Sequence, residues 1–494
     1  MPGTGSSTSG CRANDECGII EKHTLMFMGG NRWCFVEMRA SIFCAPAVLL
    51  SIAVAIFPIL QHAFAEVVSS EVPCMNQPVK IPMLILPIEY TDCKLTLKDE
   101  DWNKKVFSLP TKEEEDQRFD LFGASGSSLN NYYREVTCGK FLFEPVAETC
   151  GTSNDGVIRI SLDVKHPLED VGGMAKAVSQ ALSNAAQYIN FASYDVDKNK
   201  TLSRMELSIV VVSAGGYGDK TGSKNRCYYY SVNLGGLRRK GYVVLTERRD
   251  DIRDVYKKLA QAAGVEAKYK DFIVGVGTLV HETGHSFGTP DLYNIGHLTA
   301  MSGGQKNGCI AFFPGTKLEY TSGTPCHYGA YTMVKADFVK PIMLETNGVY
   351  AINSAGTGNY NVYKIPTHNP KEYFLIENRQ FEGFDRTLGI NANNRPLKNA
   401  GIAIWHINEV FGNNDNIEKR LVAIEEASEK TLGCSFIKKD KNHNPSDPFF
   451  SSKVNSEFSS TSKPNNLTYG GEPLPWKITD ISESASVMTF RFSK

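Results

Sequence analysis

The sequence has no excess of charge of either sign, because its formal net charge is −1 over 494 residues, 22% of them charged. This balance gives no electrostatic reason to expect nucleic acid or an anionic surface as a partner. No internal repeat is visible, so a repeat architecture is not indicated. The composition also lacks the signs of disorder, since 41% of the residues are hydrophobic and 10% are aromatic. A chain of this length has room for two or three domains.

The N-terminal part differs from the rest of the chain. Residues 1–37 form a polar leader rich in Gly and Ser, and residues 38–65 contain an uncharged apolar stretch at 41–60 followed by Ala63-Phe64-Ala65. This order is typical of a secretory signal peptide cleaved after Ala65. The apolar stretch is also long enough to remain in a membrane as a signal anchor. Both alternatives predict a secreted chain, or a membrane-anchored one with the rest on the non-cytosolic side.

The cysteines agree with export. Eight of the twelve follow Ala65, and an even, dispersed set in an exported chain predicts disulfides. Their spacing does not fit a zinc ribbon. These eight are Cys74, Cys93, Cys138, Cys150, Cys227, Cys309, Cys326 and Cys434.

Hydrophobic periodicity divides the exported part near residue 345. Strand patterns and helical patterns alternate before this point, and short strand patterns dominate after it. The strand patterns lie at 81–90, 207–218, 372–381 and 401–407, the helical pattern lies at 174–189, and 128–143 is expected to be a helix running into a strand. We therefore expect an α/β (α+β) domain at 80–345, followed by a β-rich C-terminal part at 346–494.

The polar segment 195–206 has the spacing of a calcium-binding loop. Oxygen-bearing side chains occupy positions 1, 3, 5, 7, 9 and 12, a spacing that wraps ligands around one hard cation. They are Asp195, Asp197, Asn199, Thr201, Ser203 and Glu206. Lys200 occupies the sixth position, where glycine is expected for the sharp turn, so a solvated polar loop is the alternative.

The stretch HETGHSFGTPDLY, residues 281–293, carries the strongest chemical signal. His281 and His285 are four residues apart, so on a helix both imidazoles lie on one face and can bind the same metal ion. Glu282 lies beside them, where it can act as general base toward a zinc-activated water that hydrolyses a peptide bond. The apolar residues before His281 predict that this helix is buried.

The pattern continues past the histidines as HExxHxxGxxD. Gly288 permits a sharp turn at the end of the helix. Asp291 can complete a three-ligand zinc site with one open position. His297 is close enough along the chain to compete as the third ligand, and a more distant carboxylate is a further alternative. Met301 follows in the glycine-flanked segment LTAMSGG.

These residues resemble the metzincin clan of zinc peptidases and, within it, the immune inhibitor A family. HETGHSFGTPDLY is similar to that family's zinc stretch and TAMSGG to its Met-turn, and further similar segments occur in the family's order after residue 80. They are YYREVTCGKF (132–141), INFASYDVDKN (189–199), EYFLIENRQFEGFD (372–385) and GIAIWHI (401–407). The resemblance implies a metzincin-like peptidase domain with zinc ligands His281, His285 and Asp291, general base Glu282, and Met301 as the apolar floor beneath the metal.

The expected substrate region is the strand that ends in SAGGYG. An extended peptide could add to its open edge by main-chain hydrogen bonds. Gly215 and Gly216 would allow close approach of that peptide, although they could instead form only a turn. Tyr293 is expected either to line the cleft or to pack in the core, and Trp405 and His406 are expected to be structural.

The resemblance is incomplete at the N-terminal side of the domain. Members of the family usually carry a long pro-segment that keeps the enzyme latent, whereas about fifteen residues separate Ala65 from the expected domain. Latency could be absent, or the thiolate of Cys74 could reach the zinc. A disulfide explains Cys74 equally well.

Two functions are consistent with these residues. The first is a secreted or surface-tethered zinc-dependent endopeptidase that acts on protein or peptide substrates, with Zn²⁺ and a candidate Ca²⁺ as cofactors. It has no nucleic-acid partner, and it meets a membrane only if 41–60 is an uncleaved anchor. The second is a catalytically silent, calcium-stabilised extracellular binding protein that retains the peptidase fold. The intact Glu282 favours the first.

Overall fold

The described residues form a mixed α/β structure with several sheets and few helices. The computed structural model describes residues 23–29, 32–38, 78–109, 128–216, 226–248, 274–307, 325–390, 397–428 and 447–494. The helices are α1 (Asp99–Phe107), α2 (Leu129–Val136), α3 (Val171–Ala185), α4 (Val276–Ser286) and α5 (Ala330–Lys335). The strands are β1 (His23–Gly29), β2 (Arg32–Met38), β3 (Val79–Glu89), β4 (Phe141–Pro145), β5 (Ile160–Ser161), β6 (Thr201–Leu202), β7 (Ser208–Gly216), β8 (Arg226–Leu234), β9 (Leu237–Arg248), β10 (Ile342–Met343), β11 (Gly348–Asn353), β12 (Tyr363–Pro366), β13 (Glu372–Arg379), β14 (Gly401–Asn408), β15 (Val422–Ile424), β16 (Lys477–Thr479) and β17 (Val487–Ser493).

The chain divides into two units, Met1–Glu66 and Val67–Lys494. In the first, β1 and β2 pair as an antiparallel hairpin, which the sequence patterns did not predict. The expected signal peptide or anchor at 38–65 lies outside the described residues, apart from Met38 at the end of β2. In the part of the chain that the structure describes, no helix is long and apolar enough to cross a membrane.

The largest sheet of the second unit has the strand order β4-β3-β7-β9-β6, with β5 paired to β3 and β8 paired to β9. All of these pairs are parallel except that of β8 with β9. Helices α3 and α4 pack on opposite faces of this sheet.

The expected open edge is wrong for most of the strand that ends in SAGGYG. β7 lies between β3 and β9, and its residues 210–213 pair with both neighbours. Beyond Ser213, Gly216 pairs with Arg248 of β9 on one side. Gly215 and Gly216 are both buried. Periodicity identified the strand but carries no information about its neighbours, and the assignment of these two glycines to substrate binding stays a prediction.

Both faces of this sheet are covered, because successive side chains of a strand point to opposite faces. On one face, Ile81, Met83 and Ile85 of β3 belong to a hydrophobic cluster that includes Leu279 and Val280 of α4. On the other face, alternate residues of β3 join a second cluster with α3. Burial on both faces is usual for a parallel sheet. The helix that carries the two histidines therefore lies in the interior.

Two sheets built from residues 342 onward supply the other wall of the interior around α4. A five-stranded sheet has the order β10-β12-β13-β14-β15, and a three-stranded sheet has the order β11-β17-β16. Leu375 of β13 and Trp405 of β14 belong to the same cluster as α4. Their neighbours Phe374 and Ile404 face the other way, into a third cluster shared with the three-stranded sheet. The five-stranded sheet thus has one face toward α4.

The sequence predicted several of these elements correctly. The expected strands at 81–90, 207–218, 372–381 and 401–407 correspond to β3, β7, β13 and β14, the helix at 174–189 corresponds to α3, and the helix-to-strand segment at 128–143 corresponds to α2 and β4. The mixed α/β class is also confirmed. The boundary near residue 345 stays a prediction.

Candidate metal centre

Helix α4 brings the two histidines together. All residues from Val276 to His285 are buried, and the rings of His281 and His285 lie with centroids 4.8 Å apart and nearly perpendicular planes. The helix ends where the N–H of Gly288 bonds to the His285 carbonyl at 2.9 Å. Gly288 has φ +81°, a left-handed conformation that favours glycine. The turn expected from sequence is therefore present.

After this turn the chain places the Asp291 carboxylate opposite both imidazoles. Asp291 Oδ1 lies 3.1 Å from His281 Nε2 and 3.5 Å from His285 Nε2. Donor atoms that bind one zinc ion tetrahedrally at about 2.0–2.1 Å are separated by about 3.3–3.4 Å. These two distances lie on either side of that separation, so the donors fit a single ion of this size.

The second nitrogen of each imidazole is bonded to a backbone carbonyl. His281 Nδ1 lies 2.9 Å from the Ala300 oxygen, and His285 Nδ1 lies 2.8 Å from the Thr289 oxygen. A carbonyl oxygen only accepts hydrogen bonds, so each Nδ1 carries the proton. In the neutral rings the Nε2 lone pairs then point toward Asp291, which is the tautomer that a metal ligand requires.

Among the described residues, none directs a hydrogen-bond donor at the buried Asp291 Oδ1, although the side chain as a whole is 45% exposed. Burial by itself raises the pKa of Asp291, but the two neighbouring imidazoles outweigh burial and hold this pKa well below its usual range. Burial lowers the pKa of His285, but the Asp291 and Glu282 carboxylates raise this pKa by a larger amount, so the net shift is upward.

Met301 packs directly beneath the helix. Its side chain is fully buried, its carbonyl accepts a hydrogen bond from the Leu292 N–H at 2.8 Å, and a Cβ added at Gly284 would lie 2.5 Å from its sulfur. The same added Cβ would lie 3.0 Å from the Tyr328 hydroxyl. Glycine at position 284 therefore allows the close approach of Met301 to the helix between its two histidines.

Glu282 and Tyr293 complete the surroundings. Glu282 is buried and follows His281 on the helix. The Tyr293 hydroxyl lies 3.4 Å from His281 Nε2, Gln305 donates to this hydroxyl at 3.4 Å, and the tyrosine is 43% exposed. Of the two alternatives for Tyr293, the exposed position beside His281 favours the cleft over the core.

His297, the competing third ligand, takes no part in the cluster. Among the described residues, the group around the two helical histidines that could hold a metal consists of those histidines and Asp291. His297 is half-buried, and its Nδ1 bonds to the Gly303 carbonyl at 3.0 Å. Asp291 is therefore the carboxylate or imidazole that the fold brings to the site.

The segment 195–206 brings together three of its acidic residues. Carboxylate oxygens of Asp195, Asp197 and Glu206 lie within 4.8 Å of one another. The Lys200 N–H bonds to Asp195 Oδ2 at 3.1 Å, and Lys200 has φ +63°. Lysine thus adopts the left-handed turn for which glycine was expected. The six candidate residues are largely exposed, and Asn199 and Thr201 make hydrogen bonds within the loop.

Sequence reasoning missed Arg204, which joins this segment to α4. Arg204 donates to the Ser286 carbonyl at 2.8 Å, and its guanidinium lies 5.2 Å from the centroid of the Phe287 ring. A cation near the C-terminus of a helix is favourable. The contact joins residues 82 positions apart and has no local sequence signature.

His166 is a buried histidine outside the candidate metal centre, and its hydrogen bonds differ from those of the two helical histidines. His166 Nε2 lies 3.0 Å from Ser213 Oγ, and its Nδ1 accepts a hydrogen bond from the Leu168 N–H at 2.8 Å. With Nδ1 accepting, the proton of the neutral ring lies on Nε2, which donates to Ser213. A histidine that donates to a serine cannot also remove its proton, so this pair is not arranged as a nucleophile and its base.

Two comparisons of this chain with known proteins found no match. No protein-family model matches the chain, and a search of curated proteins finds no match. The resemblance to the immune inhibitor A family therefore depends on the motifs in this sequence alone.

Proposed function

We propose that this chain is a zinc-dependent endopeptidase. The observation that carries the proposal is the group formed by His281, His285 and Asp291, whose donor atoms converge at separations suited to one zinc ion, beside the buried Glu282. A site with three protein ligands and an open fourth position is the usual arrangement of a catalytic zinc, whereas structural zinc sites are closed by four protein ligands.

More specifically, we propose an immune inhibitor A-like member of the metzincins, with a metzincin-like domain at 80–345 and a β-rich part at 346–494. The resemblance of the quoted segments supports this assignment, and so does the position of Met301 beneath the helix. Export to the outside of the cell, or attachment to its surface through 41–60, is part of the same proposal.

In this mechanism, bound zinc supplies a Lewis acid that activates water and polarises the scissile carbonyl. The Ala300 and Thr289 carbonyls hold the imidazoles of His281 and His285 in the tautomer that presents Nε2. Glu282 accepts the proton of the attacking water and passes it to the nitrogen of the leaving amine. Peptide hydrolysis is thereby completed without a covalent bond between enzyme and substrate.

An extended substrate requires a strand edge that is free to pair. Within the described part of the largest sheet, β8 pairs with β9 along one side. β8 also approaches α4. We therefore propose the other side of β8 as the edge for substrate, in place of the strand that ends in SAGGYG.

The central test compares the full-length chain with Glu282→Gln in a casein-cleavage assay, together with zinc analysis. We expect about one zinc per chain in both proteins, and a loss of roughly 10²- to 10⁴-fold in activity for Glu282→Gln. Glu100→Gln is the matched control, because Glu100 lies exposed on α1 and contacts Lys104.

The outcomes separate the two functions. Equal activity of the wild type and Glu282→Gln would remove Glu282 from the mechanism. Zinc binding without any proteolysis would favour the catalytically silent binding protein.

We also propose that the 195–206 segment binds calcium. The convergence of Asp195, Asp197 and Glu206 supports this, as does the turn at Lys200. Millimolar calcium should then raise the midpoint of thermal unfolding of the wild type, because a ligand that binds only the folded state stabilises it. Glu206→Gln should abolish the increase. An unchanged midpoint in the wild type would leave the segment a solvated loop.

A further inference from the structure

A charged network lies completely buried behind the candidate metal centre. Arg379, at the end of β13, makes two hydrogen bonds to Asp385, through Nε at 2.5 Å and Nη2 at 2.7 Å. Its Nη1 also contacts Glu377 at 3.2 Å. The three side chains are between 0% and 8% exposed. Buried ions are costly to desolvate, and apolar side chains of similar size often stabilise a fold as well or better. Stability alone therefore does not explain why these charged side chains are buried here.

The acceptors of this network are all occupied. Trp405 Nε1 donates to Glu377 Oε1 at 2.7 Å, and the Tyr360 hydroxyl donates to Glu377 Oε2. The backbone N–H of His327 donates to Asp385 Oδ1 at 2.8 Å. Each carboxylate is thus fixed from a second direction. The guanidinium is consequently held in one orientation by groups from several parts of the chain.

The Arg379 guanidinium also contacts a backbone carbonyl outside the charged network, in the segment next to the candidate metal centre. Arg379 Nη1 donates to the backbone carbonyl of Leu298 at 3.0 Å. Leu298 begins the short turn at 298–302, in which the Ser302 N–H bonds to the Thr299 carbonyl at 3.0 Å. Within this turn the Ala300 carbonyl accepts the hydrogen bond from His281 Nδ1. Arg379 therefore contacts a residue, Leu298, that lies two positions before Ala300, whose carbonyl orients a candidate zinc ligand.

We propose that Arg379 is a positioning residue of the metal centre, which holds the 298–302 turn so that the Ala300 carbonyl orients His281. The inference rests on the proposed zinc site and assigns a role to the buried network behind it. It also gives the strands after residue 345 a direct part in the centre, because Arg379 and Glu377 both belong to β13.

Arginine is suited to this role and lysine is not. The planar guanidinium reaches two carboxylates and one carbonyl at fixed angles, whereas an ammonium is a point charge on a flexible stem. Arg379→Lys therefore keeps the charge that balances the carboxylates and removes the geometry that holds the Leu298 carbonyl. Partners that orient the ligands of a metal typically contribute 10- to 100-fold to metal affinity.

The test measures the zinc dissociation constant of the full-length chain by competition with a chromophoric chelator. We expect Arg379→Lys to weaken zinc binding by about 10- to 100-fold. The visible spectrum of the cobalt-substituted protein should also change, since it reports the geometry of the ligands. A purely structural role would lower stability and leave both quantities unchanged.

Arg159 offers a matched control. It likewise contacts two carboxylates and a carbonyl, with Nε 2.8 Å from Asp99, Nη1 3.2 Å from Glu89 and Nη2 2.7 Å from the Leu97 oxygen. None of these groups belongs to the candidate metal centre. Arg159→Lys should leave zinc affinity and the cobalt spectrum as in the wild type.

The possible results are distinct. A wild type that binds no zinc overturns the proposed function, whereas a wild type and Arg379→Lys with the same affinity overturn only the role of Arg379. If Arg379→Lys does not fold, Glu377→Gln replaces it, because the amide keeps an acceptor and weakens the hold on the guanidinium. That variant should bind zinc at least about threefold more weakly, and unchanged binding would overturn the inference.

Discussion

Replacement of Asp291 by alanine tests which residue closes the candidate zinc site. The change removes the only carboxylate oxygen that lies within 3.5 Å of both imidazoles among the described residues. The side chain is 45% exposed, so its removal opens no cavity in the core. We therefore expect Asp291→Ala to fold as the wild type does and to lose zinc affinity.

The size of the loss follows from the number of ligands. Zinc bound by four protein ligands is held by about 10–16 kcal/mol. One ligand of four then corresponds to about 2.5–4 kcal/mol, or roughly 70- to 900-fold in Kd. The two donor separations, close to those of a tetrahedral site, give no reason to reduce this figure.

The assay is zinc titration of the full-length chain at pH 7.5 in competition with a chelator of known affinity. His297→Ala is the matched control, because His297 is the nearby histidine that the sequence allowed as a ligand but the fold turns toward the Gly303 carbonyl. It should change the Kd by less than about tenfold. Wild-type affinity in Asp291→Ala, or a 100-fold loss in His297→Ala, would refute the assignment.

Three further predictions concern stability. Gly284→Ala should destabilise the zinc-free chain by roughly 1–3 kcal/mol in chemical denaturation, because its methyl group would lie 2.5 Å from the Met301 sulfur; unchanged stability would contradict this close packing. Lys200→Gly should stabilise the 195–206 segment by roughly 0.5–1 kcal/mol in the presence of a chelator, because glycine adopts positive φ without strain but loses more entropy on folding; a destabilised variant would show that the lysine side chain contributes contacts. Burial lowers the pKa of His406, but its two carboxylate partners raise this pKa by a larger amount, so the net shift is upward. The contribution of His406 to the free energy of unfolding is therefore complete below about pH 6.5 and is lost as the pH rises through the raised pKa. His406→Gln should lose the part of the pH dependence of unfolding that lies above pH 6.5. An unaltered pH dependence would show that His406 does not titrate there.

His406 also illustrates a prediction about function that the structure supports. The sequence predicts a structural role for His406, and its ring is fully buried between Glu372, 2.8 Å from Nε2, and Glu425, 3.1 Å from Nδ1. Both ring nitrogens donate, so neither lone pair is free for a metal or a proton from a substrate. Trp405 is structural too, because its indole donates to the buried Glu377.

Strand and helix positions were predictable where the pattern was long and regular. β3 and α3 bury alternate or one-sided sets of apolar residues, and such periodicities depend only on local geometry. The order of strands in a sheet depends on contacts far apart in sequence. For that reason the sequence identified β7 correctly but did not predict that its residues 210–213 are paired on both sides.

Spacing alone determined the local parts of the candidate centre. Two histidines four residues apart on a helix must share a face, and Gly288 supplies the conformation that ends the helix. Glu282 follows from the same helix. The sequence therefore predicted these parts of the site without any knowledge of the fold.

Tertiary structure decided the rest. It placed Asp291 rather than His297 against the imidazoles, and it supplied the backbone carbonyls of Ala300 and Thr289 that orient them. A carbonyl is present in every residue, so no sequence pattern marks the one that a histidine contacts. Arg379 acts across 81 residues on the Leu298 carbonyl, and only the packing of β13 against the 298–302 turn brings those two groups within hydrogen-bonding distance.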